Sequence, residues 1–169
     1  KEIKLFYVSF VAYIILFFFL LVGGWYFHYY VYKISDAGLI MPYFLNIIGF
    51  LSFIFTPFIT MRVFSEEKRS GTIEFLLTAP LKESEIVLGK FFGTLLFYMS
   101  YVCLTLLYVL ILFMFGNPDF GPILSGYIGF ILLEATFISF GLLISSTTKN
   151  QIVSGVVTLI ILLAFWIMG

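Results

Sequence analysis

Five long stretches of this chain are almost free of charge, and no other feature limits its fold as much. Residues 5–32, 37–61, 91–118 and 150–169 hold no Asp, Glu, Lys or Arg, and 120–148 holds only Glu134. A helix rises about 1.5 Å per residue, so about 20 apolar residues cross a ~30 Å hydrocarbon layer. Every run is long enough. Strands of a membrane barrel would instead read as alternating segments of ~10 residues. The chain predicts an all-α polytopic membrane protein with five spans, at 10–32, 42–64, 86–115, 122–147 and 151–168. Residues 65–85 read as a charged loop. With 62% hydrophobic and 11% charged residues, 169 positions could not hide their apolar surface from water.

The charges that remain are partitioned. Ten of the 18 lie between Arg62 and Lys90. Nine basic and nine acidic residues cancel, so nothing here attracts nucleic acid. Lys1, Lys4, Arg62, Lys68, Arg69, Lys82, Lys90 and Lys149 fall on one side of the spans, and only Lys33 on the other. The positive-inside rule then puts the N-terminus and the charged loop in the cytoplasm. Tyr26, Tyr29, Tyr30 and Tyr32, and separately Trp166, read as outer aromatic belts.

Within the spans, Gly89 and Gly93 form a GxxxG that permits close helix approach, read as internal packing with a dimer contact as the alternative. Pro57 predicts a kink in the second span. His28 reads as a belt residue, because no second His or Cys stands at ligand spacing. Glu134 stands out. An ionised carboxylate mid-span costs about 2.5–3.5 kcal/mol, so it should face the bundle interior, be protonated, or meet a polar partner. Tyr98, Tyr101, Thr105 and Tyr108 of the third span are the candidate donors. A structural hydrogen bond would leave Glu134→Gln active; a polar point in a substrate or proton path would not.

The loop reads FSEEKRSGTIEFLLTAPLKESEIVLGKFF. Gly71 should break the helix leaving the second span. Thr72 can cap a short new helix over 72–78, with Glu74 in its first turn facing the dipole. Pro80 stops it, and another helix starts near Lys82 with Glu83 and Glu85 in its first turn. Ile73, Phe75, Leu76 and Leu77 are too apolar to sit bare in water. The short helix can lie on lipid headgroups, or serve as a knob in the groove of a soluble partner, its register set by Glu66, Glu67, Lys68 and Arg69.

The string EEKRSGTIEFLLTAPLKESEIVLGK resembles the loop between the second and third spans of ABC type-2 transporter permeases. The stretch GNPDFGPILSGYIGFILLEATFISFGLLISSTTKNQIVSG extends the likeness, and is similar to the subgroup of gliding-motility and nitrous-oxide-reductase-maturation permeases. The opening KEIKLFYVSFVAY resembles that subgroup's N-terminal amphipathic helix, which implies an interfacial entry helix over residues 1–9. The resemblance implies a six-span permease half, so a sixth span is expected in addition to the five. It implies pairing with a second permease copy or paralogue, contact with membrane lipid and a cytoplasmic ABC ATPase dimer, with a periplasmic partner in some systems. It also makes the short helix the coupling helix, with Glu66, Glu67, Arg69, Gly71, Thr72, Glu74, Phe75, Leu76, Leu77 and Pro80 as the ATPase-coupling residues. Three positions depart from the pattern: Ser9-Phe10-Val11 replaces a small residue and Pro, Lys82 replaces a capping Ser, and Glu134 replaces a small residue.

The chain has no GxxxxGK[ST] phosphate cradle, Ser-His-Asp set, HExxH or Cys pair. No catalytic residue, cofactor or metal is expected. The leading expectation is the membrane subunit of an exporter-type ABC complex. The alternative is a mechanical transmitter that drives an extracytoplasmic partner without moving a substrate. An intramembrane enzyme built on Glu134 ranks last, since a lone carboxylate lacks a partner base or metal.

Overall fold

The structure, a computed structural model, describes residues 10–34, 37–72 and 82–168. Among these residues six helices follow one another: α1 (Phe10–Lys33), α2 (Ala37–Thr60), α3 (Ser65–Ser70), α4 (Glu83–Phe115), α5 (Phe120–Thr147) and α6 (Gln151–Met168). No strand occurs among the described residues. The fold is all-α and polytopic, with four helices long and apolar enough to cross a membrane. The fifth apolar helix, α6, is shorter, at 18 residues.

The helices begin and end where the charges and caps dictate. Glu85 accepts a hydrogen bond from the Lys82 backbone N–H at 2.9 Å, half of a capping box. The lysine ammonium can only donate, so the other half is missing. Asn150 caps α6, its Oδ1 accepting from the N–H groups of Ile152 and Val153.

In lipid there is no hydrophobic gain in pressing apolar helices together, so shape and polar contacts decide the packing. The closest pair is α2 with α5, which run parallel. Gly141 makes this approach necessary: a Cβ there would lie 2.6 Å from the Cβ of Thr60. α1, α4 and α6 surround the pair. Phe19, Tyr98 and Tyr101 fill the junction of α1 and α4, with Phe19 and Tyr101 ring centres 4.7 Å apart. Phe27, Phe44 and Tyr108 form a second aromatic group nearer the α1–α2 turn.

Two packing expectations need correction. Gly89 is exposed with nothing within 4 Å while Gly93 is buried, so only the second glycine of the GxxxG on α4 faces the bundle. The close approach is made by α5 instead. Trp166 packs on Phe50 and Phe53 of α2, with ring centres about 6 Å away. Phe50 lies 13 residues into α2, about 20 Å along its axis from Ala37. Trp166 therefore sits at mid-bundle depth and not in an outer belt. Tyr26, Tyr29, Tyr30 and Tyr43 do cluster at the α1–α2 turn, where the Lys33 ammonium donates to the Tyr29 hydroxyl.

Candidate functional site

Two polar constructions interrupt the apolar bundle. The first is an elbow where α2 leaves the spans. Thr60 turns its hydroxyl back to the carbonyl of Thr56, and the Val63 N–H bonds to the Thr60 carbonyl in a tight turn. α3 follows, with Glu66 and Glu67 in its first turn and Lys68 and Arg69 in its last, an order that complements the helix dipole. Gly71 ends α3 at φ 73°, a left-handed conformation that an L side chain resists.

The elbow is fastened to two further spans, α4 and α5. A helix start leaves N–H groups without intrahelical acceptors, and α3 borrows its cap from α5. Ser145 Oγ accepts from the N–H groups of Phe64 and Ser65, each at 3.1 Å, and donates to the Met61 carbonyl. The Lys68 ammonium donates to the Ser146 carbonyl at the end of the same helix. On the other side, Lys90 of α4 is 2% exposed, and its ammonium meets Glu67 Oε1 at 2.7 Å. That ammonium also donates to the Val63 carbonyl at 3.1 Å and lies 5.1 Å from the Phe64 ring centre. Removing a lysine this deep from water is costly unless it is paired and hydrogen-bonded, and Lys90 is both. Any shift of the elbow must therefore pull on α4 and α5 together.

Beside the elbow, a cavity of about 430 Å³ opens between α4 and α5, lined by Phe64, Val87, Phe91, Ser139, Leu142 and Ser146 among others.

The second construction surrounds Glu134, which is fully buried at mid-bundle. Thr56 Oγ1 donates to Glu134 Oε2 at 3.3 Å and shares a 2.7 Å hydrogen bond with the Tyr98 hydroxyl. With Tyr98 as donor to Thr56, the hydroxyls form a relay from α4 through α2 to α5 that ends on the carboxyl. Ser52, one turn before Thr56, lies beside the carboxyl but without hydrogen-bond geometry. Ser52, Thr56 and Thr60 recur every four residues, forming one buried polar stripe on α2 that faces α5.

The sequence profile described as ABC-2 family transporter protein matches residues 29–169. The chain belongs to the ABC-2 transporter family. No curated protein and no solved structure matches it. As an ABC-2 permease it is a multi-pass membrane protein and the transmembrane subunit of an ABC transporter, in a family that is normally non-catalytic. Membership implies an ABC ATPase partner and often dimerisation.

In this ABC-2 permease the expected coupling residues divide. Glu66, Arg69, Gly71 and Thr72 lie exposed on the elbow. Thr72 turns its hydroxyl back toward Ser70 and the Glu67 carbonyl. Glu67 points inward to Lys90, where it holds the protein's own helices. Glu74, Phe75, Leu76, Leu77 and Pro80, with the short helix over 72–78 beyond Thr72, lie outside the described residues, as does the interfacial helix at 1–9. Glu134 faces the interior and meets polar partners, but of the four named donors only Tyr98 reaches it, through Thr56. Thr105 pairs with Tyr127, Tyr108 reaches the Leu20 carbonyl, and Tyr101 has no hydrogen-bond partner. Ser145 and the partners of Lys90 escaped sequence reasoning, because their bonds join residues 23 to 84 positions apart. The four-residue spacing of Ser52, Thr56 and Thr60 was a readable signal. No cluster of three or more His, Cys, Asp or Glu residues able to hold a metal occurs among the described residues.

Proposed function

We propose that this chain is the membrane half of an exporter-type ABC complex in a bacterial inner membrane. Its elbow and the loop over 65–85 carry the work of a separate cytoplasmic ATPase dimer into the spans. The observation that carries this reading is the fastening of the elbow, by Lys90–Glu67 to α4 and by Ser145 and Lys68 to α5. A force applied to the exposed side of the loop, at Glu66, Arg69, Gly71 and Thr72 and on through Glu74, Phe75, Leu76, Leu77 and Pro80, would reach both helices at once. The eight-to-one distribution of Lys and Arg supports a cytoplasmic N-terminus and loop. The likeness to gliding-motility and nitrous-oxide-reductase-maturation permeases supports placing it in that subgroup, with a second copy or paralogue completing the pathway.

The test is reconstitution of the full-length permease with its ATPase in lipid nanodiscs. ATP hydrolysis should depend on the permease, and polar replacement of Phe75 and Leu76 should uncouple hydrolysis without loss of the protein. Stimulation of hydrolysis by a transported substrate would support export. Stimulation only by a periplasmic protein would move the reading to mechanical transmission, and failure of any ATPase to co-purify would defeat both.

A further inference from the structure

The elbow accounts for the charged loop but gives no reason for a carboxyl at the centre of the bundle. α2, α4 and α5 bring five side-chain oxygens together there: Ser52 Oγ, Thr56 Oγ1, Tyr98 OH and both carboxyl oxygens of Glu134. All four residues are essentially inaccessible to solvent. Two of the five oxygens, Ser52 Oγ and Glu134 Oε1, lie on neighbouring side chains whose orientation forms no well-aligned hydrogen bond for either atom. Buried polar atoms are nearly always satisfied, and unsatisfied ones point to a missing ligand or a functional constraint. A third unpartnered oxygen, Tyr101 OH, is in electrostatic contact with Glu134.

We propose that Ser52, Thr56, Tyr98 and Glu134 form a binding site for one monovalent cation, a proton or a sodium-type ion, whose occupancy allows α2 and α5 to close against each other.

The charge balance favours one positive charge and no more. Glu134 is the only charged residue in the segment 120–148, and α2 and α6 carry none. The one charge on α1, Lys33, is exposed and bonded to Tyr29 at the far turn. Those of α4 stop at Lys90, which the elbow holds. The ionisable groups facing the carboxyl are the phenols of Tyr98 and Tyr101, and the remaining neighbours are hydroxyls and the Phe19 ring. A bare carboxylate is costly in this setting. A single positive charge would neutralise it, whereas a divalent ion would leave a net charge of the opposite sign. An all-oxygen donor set suits hard ions, and no imidazole or thiolate is present to select a transition metal. A proton on Oε1 would give Ser52 a donor, and a sodium-type ion would draw Ser52 and Oε1 to a shared centre. Each would satisfy both open oxygens. The site also lies in the closest helix pair of the molecule, just above the contact of Thr60 with Gly141. Loss of the cation would leave an unsolvated carboxylate in the closely packed α2–α5 interface.

The experiment uses the full-length permease with its ATPase in nanodiscs, with Trp25→Phe leaving Trp166 as the emitter among the described residues. Trp166 contacts Phe53, next to Ser52 in sequence. Fluorescence and melting temperature are followed while sodium replaces choline at fixed alkaline pH, and separately while pH falls without sodium. A saturable response to sodium, to protons, or to both in competition supports the site and identifies the ion. The response should vanish in Glu134→Gln with the melting temperature held at its cation-bound level. In Ser52→Ala, which keeps the carboxyl, the midpoint should weaken about tenfold. A wild-type protein indifferent to both titrations, a response that survives in Glu134→Gln, or an equal response to calcium would overturn the proposal. These readings need no transported substrate, so they stand or fall apart from the elbow.

Discussion

Replacing Lys90 by Met keeps the stem of the side chain and removes the ammonium that joins α4 to the elbow. Among the described partners, Glu67 loses its 2.7 Å ion pair, the Val63 carbonyl loses a donor, and the Phe64 ring loses its cation. Breaking a fully buried pair from one side costs about 3–5 kcal/mol, because the surviving charge is stranded. Glu67 is 19% exposed and can swing partly toward water, so we expect about 2–3 kcal/mol here. A loss of 2 kcal/mol is about a thirtyfold change in the folding equilibrium. The assay is unfolding of the permease in mixed micelles, alongside ATP hydrolysis in nanodiscs. Adding Glu67→Gln should restore at least half of the lost stability, since neither charge is then left alone, yet leave hydrolysis poorly coupled because the fastening stays broken. A Lys90→Met protein as stable as the wild type, or a double variant whose losses simply add, would refute the idea that this pair closes the elbow.

Further outcomes follow from the same contacts. Ser145→Ala removes the shared cap from two N–H groups of α3 and should cost about 1–2 kcal/mol, read by the same unfolding assay. Gly141→Ala should cost about 1–3 kcal/mol by pushing α5 off Thr60, and Thr60→Gly in the same protein should recover most of it. Thr56→Val cuts the link between Tyr98 and Glu134 and should cost about 1–3 kcal/mol, whereas Thr56→Ser should be close to neutral. Phe75→Asp should leave melting unchanged while reducing ATPase co-purification.

The charge-free runs made the long helices legible, because in hydrocarbon a backbone must satisfy its own hydrogen bonds and only a helix does so within one segment. The break at Gly71 was equally plain, since a glycine after a short charged turn is how such a helix stops. The inward turn of Glu67 could not be read. Nothing in EEKR tells its two glutamates apart until α4 places Lys90 beside one of them. The partner of Glu134 was sought among Tyr98, Tyr101, Thr105 and Tyr108 of α4, yet the direct donor is Thr56, whose significance was masked by the neighbouring Pro57. Trp166 misled for a related reason: an aromatic near the end of an apolar run marks an interface only if the run reaches it, and here Phe50 and Phe53 hold the ring at mid-depth.

The claim at the centre is that the elbow carries the state of the ATPase into the spans. Spin labels at Tyr32 and Met114, exposed residues at the ends of α1 and α4 far from the elbow, would report it directly. Cys103 is first replaced by Ser so that only these positions react. In the assembled complex, the distance between the labels should change when ATP is added, and Lys90→Met should abolish the change while ATP still binds. A distance indifferent to ATP, or an ATP response that persists without the Lys90–Glu67 pair, would contradict it.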